Sequence, residues 1–222
     1  MNTVFIRQLH TKRLNLFFTG WGMDENPCYN LFQNIEGDVC ICYNYTDLSF
    51  DFTLLNAYSE IHLFAWSMGV WAASATFQLI QDLFERKIAL NGTMTPIDDQ
   101  RGIPTDIFNG TLEHLNEQTL ERFNRRMCGT RNQKEWFENH RPKRSVHELK
   151  QELQAIKDHV QKIKVPNFNW DKVLIGENDL IFPAQAQKKA WENVLQIITH
   201  DAHLPAFFLE PNHEDIIQTL YE

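Results

Sequence analysis

The sequence has no run approaching the roughly 18 uncharged apolar residues that a bilayer-spanning helix needs, so a helical membrane protein is not expected. Its first 13 residues alternate polar and apolar positions and carry Arg7, Lys12 and Arg13. They lack the basic start, apolar stretch and small-residue cleavage site of a secretion signal, which makes the expected location cytoplasmic. Cysteine is scarce: only Cys28, Cys40, Cys42 and Cys128 occur, and none forms a CxxC pair. No second pair stands at zinc-ligand spacing, so no metal site is expected and the four read as buried free thiols in a reducing compartment. Internal repeats and low-complexity segments are also missing. With 43% hydrophobic and 12% aromatic residues, the chain is too apolar for intrinsic disorder.

What is present is enough chain, 222 residues, for one sizeable domain or for one domain with a large insertion. The formal net charge of −8 argues against nucleic acid as a partner. That charge is uneven. Between Arg122 and Lys150 nine Lys/Arg stand against three Glu, a local +6 that leaves −14 for the rest. A basic patch on an acidic protein suits an acidic protein partner, although charge runs are commonly just solvated helix faces.

Short β-branched and aromatic runs alternate with helical patterns. Strands are expected at residues 3–9 (an edge strand), 14–18, 39–45, 61–65, 87–90, 172–175 and 195–199, and helices at 68–84, 183–194 and 213–221. This alternation predicts an α/β fold with a mostly parallel sheet flanked by helices, whose active loops lie at the carboxyl ends of the strands. Residues 104–166 break the alternation with four consecutive helical patterns, the last opened by the capping box Ser145-Val-His-Glu148. They read as an all-helical lid inserted into a core formed by residues 1–103 and 167–222.

The most informative segment is Leu63-Phe-Ala-Trp-Ser67-Met-Gly69. An apolar strand ends, one polar residue follows, and an apolar helix starts at once. This is the context of a nucleophile elbow, an α/β-hydrolase feature usually written G-x-S-x-G, with Ala65 and Gly69 as the small flanking residues. The first backbone amides of the helix should face a developing oxyanion. Met68 is the first expected donor, and Trp21, in the loop Thr19-Gly-Trp-Gly22 after an earlier strand, is the second. The plainer alternative is that Ser67 only caps the helix.

In this fold the triad runs Ser, acid, His along the chain. Asp179, on the loop after residues 172–176, is the preferred acid over Glu177; Asp98 and Asp99 are held in reserve. His203, on the loop after the last strand, is the preferred base over His200 at the strand end, with His213 third. The implied chemistry is two-step acyl transfer through an acyl-enzyme, needing no cofactor. Trp21, Trp66 and Phe123 are candidates to line an acyl channel, and equally plausible as core residues.

Several segments together, Phe17-Phe-Thr-Gly-Trp-Gly22, Ala65-Trp-Ser-Met-Gly69, Asn91-Gly-Thr-Met-Thr-Pro96, Gly102-Ile-Pro104, Phe123-Asn-Arg-Arg-Met-Cys128 and His203-Leu-Pro205, carry a family resemblance over most of the chain. The chain resembles the small pimeloyl-ACP methyl ester esterases of biotin synthesis, of the BioG type. Related esterases of the BioH type have a His where this chain has Thr19, and a His-x-Pro-Phe ending where this chain has Ala206 before Phe207. The resemblance implies hydrolysis of the methyl ester of a pimeloyl group carried by acyl carrier protein. It also implies that the basic lid, with Arg122, Arg125, Arg126 and Arg131, meets the acidic carrier. The rivals are an esterase or thioesterase for other small acyl substrates and a non-catalytic module that binds the carrier protein.

Overall fold

The computed structural model describes residues 1–29, 31 and 35–209. The expected helix at residues 213–221, and with it His213, lies outside them. Seven strands, β1 (Asn2–Arg7), β2 (Arg13–Phe18), β3 (Asp38–Tyr43), β4 (Glu60–Trp66), β5 (Arg86–Leu90), β6 (Lys172–Gly176) and β7 (Leu195–Thr199), form one sheet in the order β1-β3-β2-β4-β5-β6-β7. Only β1 runs antiparallel, against β3, at the sheet edge. The other neighbours are parallel. The central strands are buried almost without interruption, as parallel strands covered on both faces must be.

The helix after β4, α1 (Met68–Phe77), is apolar on every side and accordingly buried on every side. It stops seven residues short of the expected end. The chain must turn back to reach β5, and the rings of Phe77 and Phe84 pack 4.9 Å apart across that turn. Leu79, 93% exposed, and Leu83, 55% exposed, therefore leave the apolar stripe they seemed to extend.

Four helices follow β5: α2 (Thr105–Glu113), α3 (Glu117–Cys128), α4 (Arg131–Asn139) and α5 (Val146–Lys162). Capping boxes open three of them. Asn116 pairs with Thr119, Thr130 with Gln133 and Ser145 with Glu148, each satisfying orphan N–H groups at a helix start. Their buried faces, including Phe108, Met127, Phe137, Leu149 and Leu153, join the same apolar cluster as the strands. The last described helix, α6 (Ala184–Ala190), lies between β6 and β7 and ends earlier than the expected 194.

Candidate active site

Ser67 sits between β4 and α1 with φ 60° and ψ −126°. Such a conformation is strained for a residue with a Cβ and persists only where the surroundings enforce it. Here they do. A Cβ on Gly69 would come within 2.4 Å of the Phe18 carbonyl oxygen, and one on Gly92 within 2.3 Å of the Ser67 carbonyl oxygen. The elbow is thus pressed between the end of β2 and the end of β5. Gly69 is forced by the neighbouring strand end, and Ala65 is fully buried within β4.

The structure brings Ser67, His203 and Asp179 together from three strand ends. His203 Nε2 lies 2.9 Å from Ser67 Oγ, and its Nδ1 lies 2.8 Å from Asp179 Oδ2. All three residues are buried. An ionised carboxylate only accepts hydrogen bonds, so Nδ1 carries the proton and Nε2 is left to accept the serine hydroxyl. Asp179 Oδ1 also accepts the N–H groups of Ile181 (2.8 Å) and Phe182 (2.9 Å), and its Oδ2 accepts Gln187 Nε2 (3.0 Å). The His203 ring is held between Phe182, nearly parallel at 5.9 Å, and Trp66 at 5.4 Å.

The other candidates are engaged elsewhere. Glu177 and His200 pair with each other at the surface, where His200 is 93% exposed, and Glu177 raises the histidine pKa through that hydrogen bond. Asp98 accepts the N–H groups of Gln100 and Arg101 within its own turn, and Asp99 accepts that of Thr105. Neither turn aspartate bonds a histidine among the described residues.

A largely apolar pocket of about 560 Å³, counting its open mouth, lies over Ser67. Trp21, Trp66, Phe108, Phe123 and Leu153 are among its walls, with Arg126 at its edge. Trp21 and Phe123 meet edge to face at 5.1 Å. Trp66 has a second task, because its Nε1–H donates to the His203 carbonyl oxygen at 2.9 Å. Gly20 and Met68 also border the pocket, and a Cβ on Gly20 would stand 3.2 Å from Ser67 Cβ. Met68 is the first residue of α1, so its N–H has no helical acceptor. On the inserted helices Arg122, Arg125, Arg126 and Arg131 are exposed, and Arg126 donates to the Leu180 carbonyl oxygen at 2.9 Å. Lys134, Arg141 and Arg144 are instead tied up in ion pairs with Glu121, Glu138 and Glu152. A separate cluster, Glu60, His62 and Glu85, brings three ligand-type atoms within 4.8 Å of one another. Arg13 shares the Glu60 carboxylate at 2.6 Å, which makes it an ion-pair cluster.

Sequence reasoning missed two positioning residues. Asn91, with φ 43°, donates through Nδ2 to the carbonyl oxygens of Ala202 (3.0 Å) and His203 (2.9 Å), and accepts Gly176 N–H at 2.7 Å. It ties the β5 end to the β6 end and to the histidine loop. The dipeptide Asn91-Gly92 was legible as the end of a strand and as part of a family motif, with no sign of a positioning role. Gln187 on α6 buttresses Asp179, and nothing in a polar helix residue signals that.

A family model described as pimeloyl-ACP methyl esterase BioG matches residues 1–211. A malonyl-[acyl-carrier protein] O-methyltransferase of Bacteroides fragilis (strain 638R) is 50% identical over 182 residues, 82% of this chain. The match spans only 37% of the length of that relative. The crystal structure of BioG from Haemophilus influenzae is similar with a TM-score of 0.90 at 34% identity, covering 100% of both chains. A thermophilic esterase from Thermogutta terrifontis shares the fold alone, with a TM-score of 0.67 at 15% identity over 98% of this chain and 92% of that one.

Proposed function

Since the chain belongs to the BioG family of pimeloyl-ACP methyl esterases, a family with the α/β-hydrolase fold, we propose that it hydrolyses pimeloyl-ACP methyl ester to pimeloyl-ACP and methanol in biotin synthesis. The observation that carries this reading is the relay Ser67–His203–Asp179, with links of 2.9 and 2.8 Å, at the floor of an apolar pocket.

In the first step Ser67 Oγ attacks the ester carbonyl while His203 Nε2 takes its proton. Asp179 holds the imidazole in the required tautomer and stabilises the imidazolium. The backbone N–H groups of Trp21 and Met68 hold the tetrahedral oxyanion; the geometry in favour is that Gly20 passes against Ser67 and that the Met68 N–H is free of helical bonding. The C–O bond to the methoxy group then breaks, and methanol leaves with the proton from His203. Water, deprotonated by the same imidazole, attacks the acyl-enzyme, and Ser67 departs with that proton. Trp21, Trp66 and Phe123 pack along the pimeloyl chain. No cofactor takes part in these steps.

Residues 104–166 act as a lid on a core of residues 1–103 and 167–222. The exposed Arg122, Arg125, Arg126 and Arg131 serve as the docking face for the acidic carrier protein, in a cytoplasmic setting. Arg126 is at once on that face and at the pocket edge, which is where a tethered acyl arm would enter. No helix of the described residues is long and apolar enough to cross a membrane. The methyl transfer named for the Bacteroides relative is said of a protein much longer than this chain; a serine–histidine–aspartate relay is equipped to cleave an ester.

The test is hydrolysis of pimeloyl-ACP methyl ester by the wild type and by Ser67→Ala, with free pimeloyl methyl ester as control. Turnover of the carrier-bound ester that vanishes in the variant is the expected result. Cleavage of the free ester alone removes the carrier from the proposal, and activity retained by Ser67→Ala removes the nucleophile.

A further inference from the structure

One buried carboxylate has no part in the steps above. Glu152, on the inserted helix α5, is fully buried. Its Oε1 accepts the Tyr45 N–H at 2.9 Å and its Oε2 accepts Arg144 Nη1 at 2.7 Å. Each of these partners grips the loop of residues 19–23. The Tyr45 hydroxyl donates to the Thr19 carbonyl oxygen at 2.7 Å, and Arg144 Nη1 donates to that of Met23 at 3.1 Å. One turn before Glu152, the Leu149 carbonyl oxygen accepts the Trp21 indole N–H at 2.9 Å. The two ends of the loop are thus tied to Glu152 through Tyr45 and Arg144, and the side chain at its centre is bonded to α5 directly.

A charge buried this deeply is costly unless every lone pair is used. Burial does raise the Glu152 pKa, against the opposing pull of Arg144 and of the Tyr45 N–H. A plain core would be met more simply by an apolar side chain at this position. What a carboxylate adds is a fixed direction for the N–H groups beside the reacting centre, and donors aimed in advance are where transition-state stabilisation comes from.

The geometry points to Glu152 as a positioning residue that, with Arg144 and Tyr45, presets the residue 19–23 loop so that the Trp21 amide meets the oxyanion. This rests on the proposed role of Ser67 and of that amide. It also ties α5, within the inserted helices, to the loop beside the reacting centre.

The test is steady-state hydrolysis of pimeloyl-ACP methyl ester by the wild type, Glu152→Gln, Tyr45→Phe and Ser67→Ala, with melting temperatures measured in parallel. Tyr45→Phe removes the hydroxyl's hydrogen bonds to the carbonyl oxygens of Thr19 (2.7 Å) and Cys42 (3.2 Å) and leaves no buried charge unpaired. A positioning role predicts that Glu152→Gln loses roughly tenfold or more in kcat and Tyr45→Phe about three- to tenfold, each with KM within about twofold of the wild type. A boronic acid that mimics the tetrahedral intermediate should weaken in step with kcat. Unchanged kcat in Tyr45→Phe, or a rise in KM in place of the fall in kcat, overturns the inference. If Glu152→Gln does not fold, Tyr45→Phe alone decides by the same criteria. Activity in Ser67→Ala, or none in the wild type, sinks the proposed function and this inference together. A dead Ser67→Ala beside fully active Glu152→Gln and Tyr45→Phe sinks only the inference.

Discussion

Replacing Asn91 by Ala is the sharpest test of how the site is held. Three hydrogen bonds disappear: two donated to the carbonyl oxygens of Ala202 and His203, and one accepted from Gly176 N–H. The His203 oxygen keeps a partner in Trp66 Nε1. The Ala202 oxygen and the Gly176 N–H lose theirs in a buried setting, at about 1–3 kcal/mol each. Asn91 also has φ 43°, where Ala costs about 1–2 kcal/mol more than a residue that tolerates the left-handed region. The expected loss is about 3–8 kcal/mol, the lower end applying if water fills the vacated space. That is a large fraction of the ~5–15 kcal/mol that stabilises a typical domain. Urea denaturation with an unchanged m-value measures it. Asn91→Gly separates the parts, since it removes the same hydrogen bonds without the backbone strain and should recover about 1 kcal/mol. Activity should fall more than stability alone explains, because the histidine loop loses its tie to β5. A loss below about 1 kcal/mol with unchanged kcat would refute the reasoning, since it would mean that the buried groups never depended on Asn91.

Other predictions follow from the same geometry. In Asp179→Asn the amide would donate toward His203 Nδ1, reversing the tautomer so that Nε2 can no longer accept the Ser67 proton; kcat should drop about 10³–10⁴-fold with the fold intact by circular dichroism. Gly92→Ala would push a methyl group within 2.3 Å of the Ser67 carbonyl oxygen, so labelling of Ser67 by a fluorophosphonate should be abolished. Gly20→Ala, which meets only side-chain atoms at 3.2 Å and beyond, should retain labelling. Glu138 has its pKa lowered from 4.5 to about 2, chiefly by its hydrogen bond with Arg141 and also by Lys134. A lowered carboxylate pKa adds stability above its unfolded value that is lost as the pH falls through the folded one. Glu138→Gln should therefore lower the melting temperature at pH 6, by an amount worth about 1 kcal/mol or less for a half-exposed pair. The difference from wild type should shrink between pH 4.5 and about 2; a difference that persists at the acid end refutes the assignment.

Much of this architecture is written in local signals. An apolar run, one serine and then an apolar helix put the elbow at Ser67, because a strand-to-helix turn with no intervening loop needs small flanking residues, and these are visible at Ala65 and Gly69. Alternating strand and helix patterns identified all seven strands, and four successive capping and amphipathic patterns located α2 to α5 between β5 and β6. The order of the candidate acids and bases along the chain, with their places on the loops, put Asp179 ahead of Glu177 and His203 ahead of His200, with Asp98, Asp99 and His213 behind them.

The contacts behind that preference are visible only in the folded chain. Glu177 and His200 are as close in sequence to the site as their alternatives, yet they pair with each other in solvent, while Asp179 and His203 turn inward. A one- or two-residue offset on a loop reverses a side chain's direction, and no pattern in composition records which way it points. The end of α1 at Phe77 was equally hidden, since it depends on where β5 must begin and on the packing of Phe77 against Phe84. Asn91, Gln187 and Glu152 were invisible for a related reason. The telling partners are distant in sequence: Ala202 and His203 for Asn91, Tyr45 for Glu152. The sequence by itself determined the strands, the helices and the serine at the turn, because those follow from periodicity and backbone sterics over a few neighbouring residues. The tertiary structure alone decided which carboxylate meets which imidazole and what holds them there, because hydrogen bonds between buried groups depend on positions fixed only when separate strand ends converge.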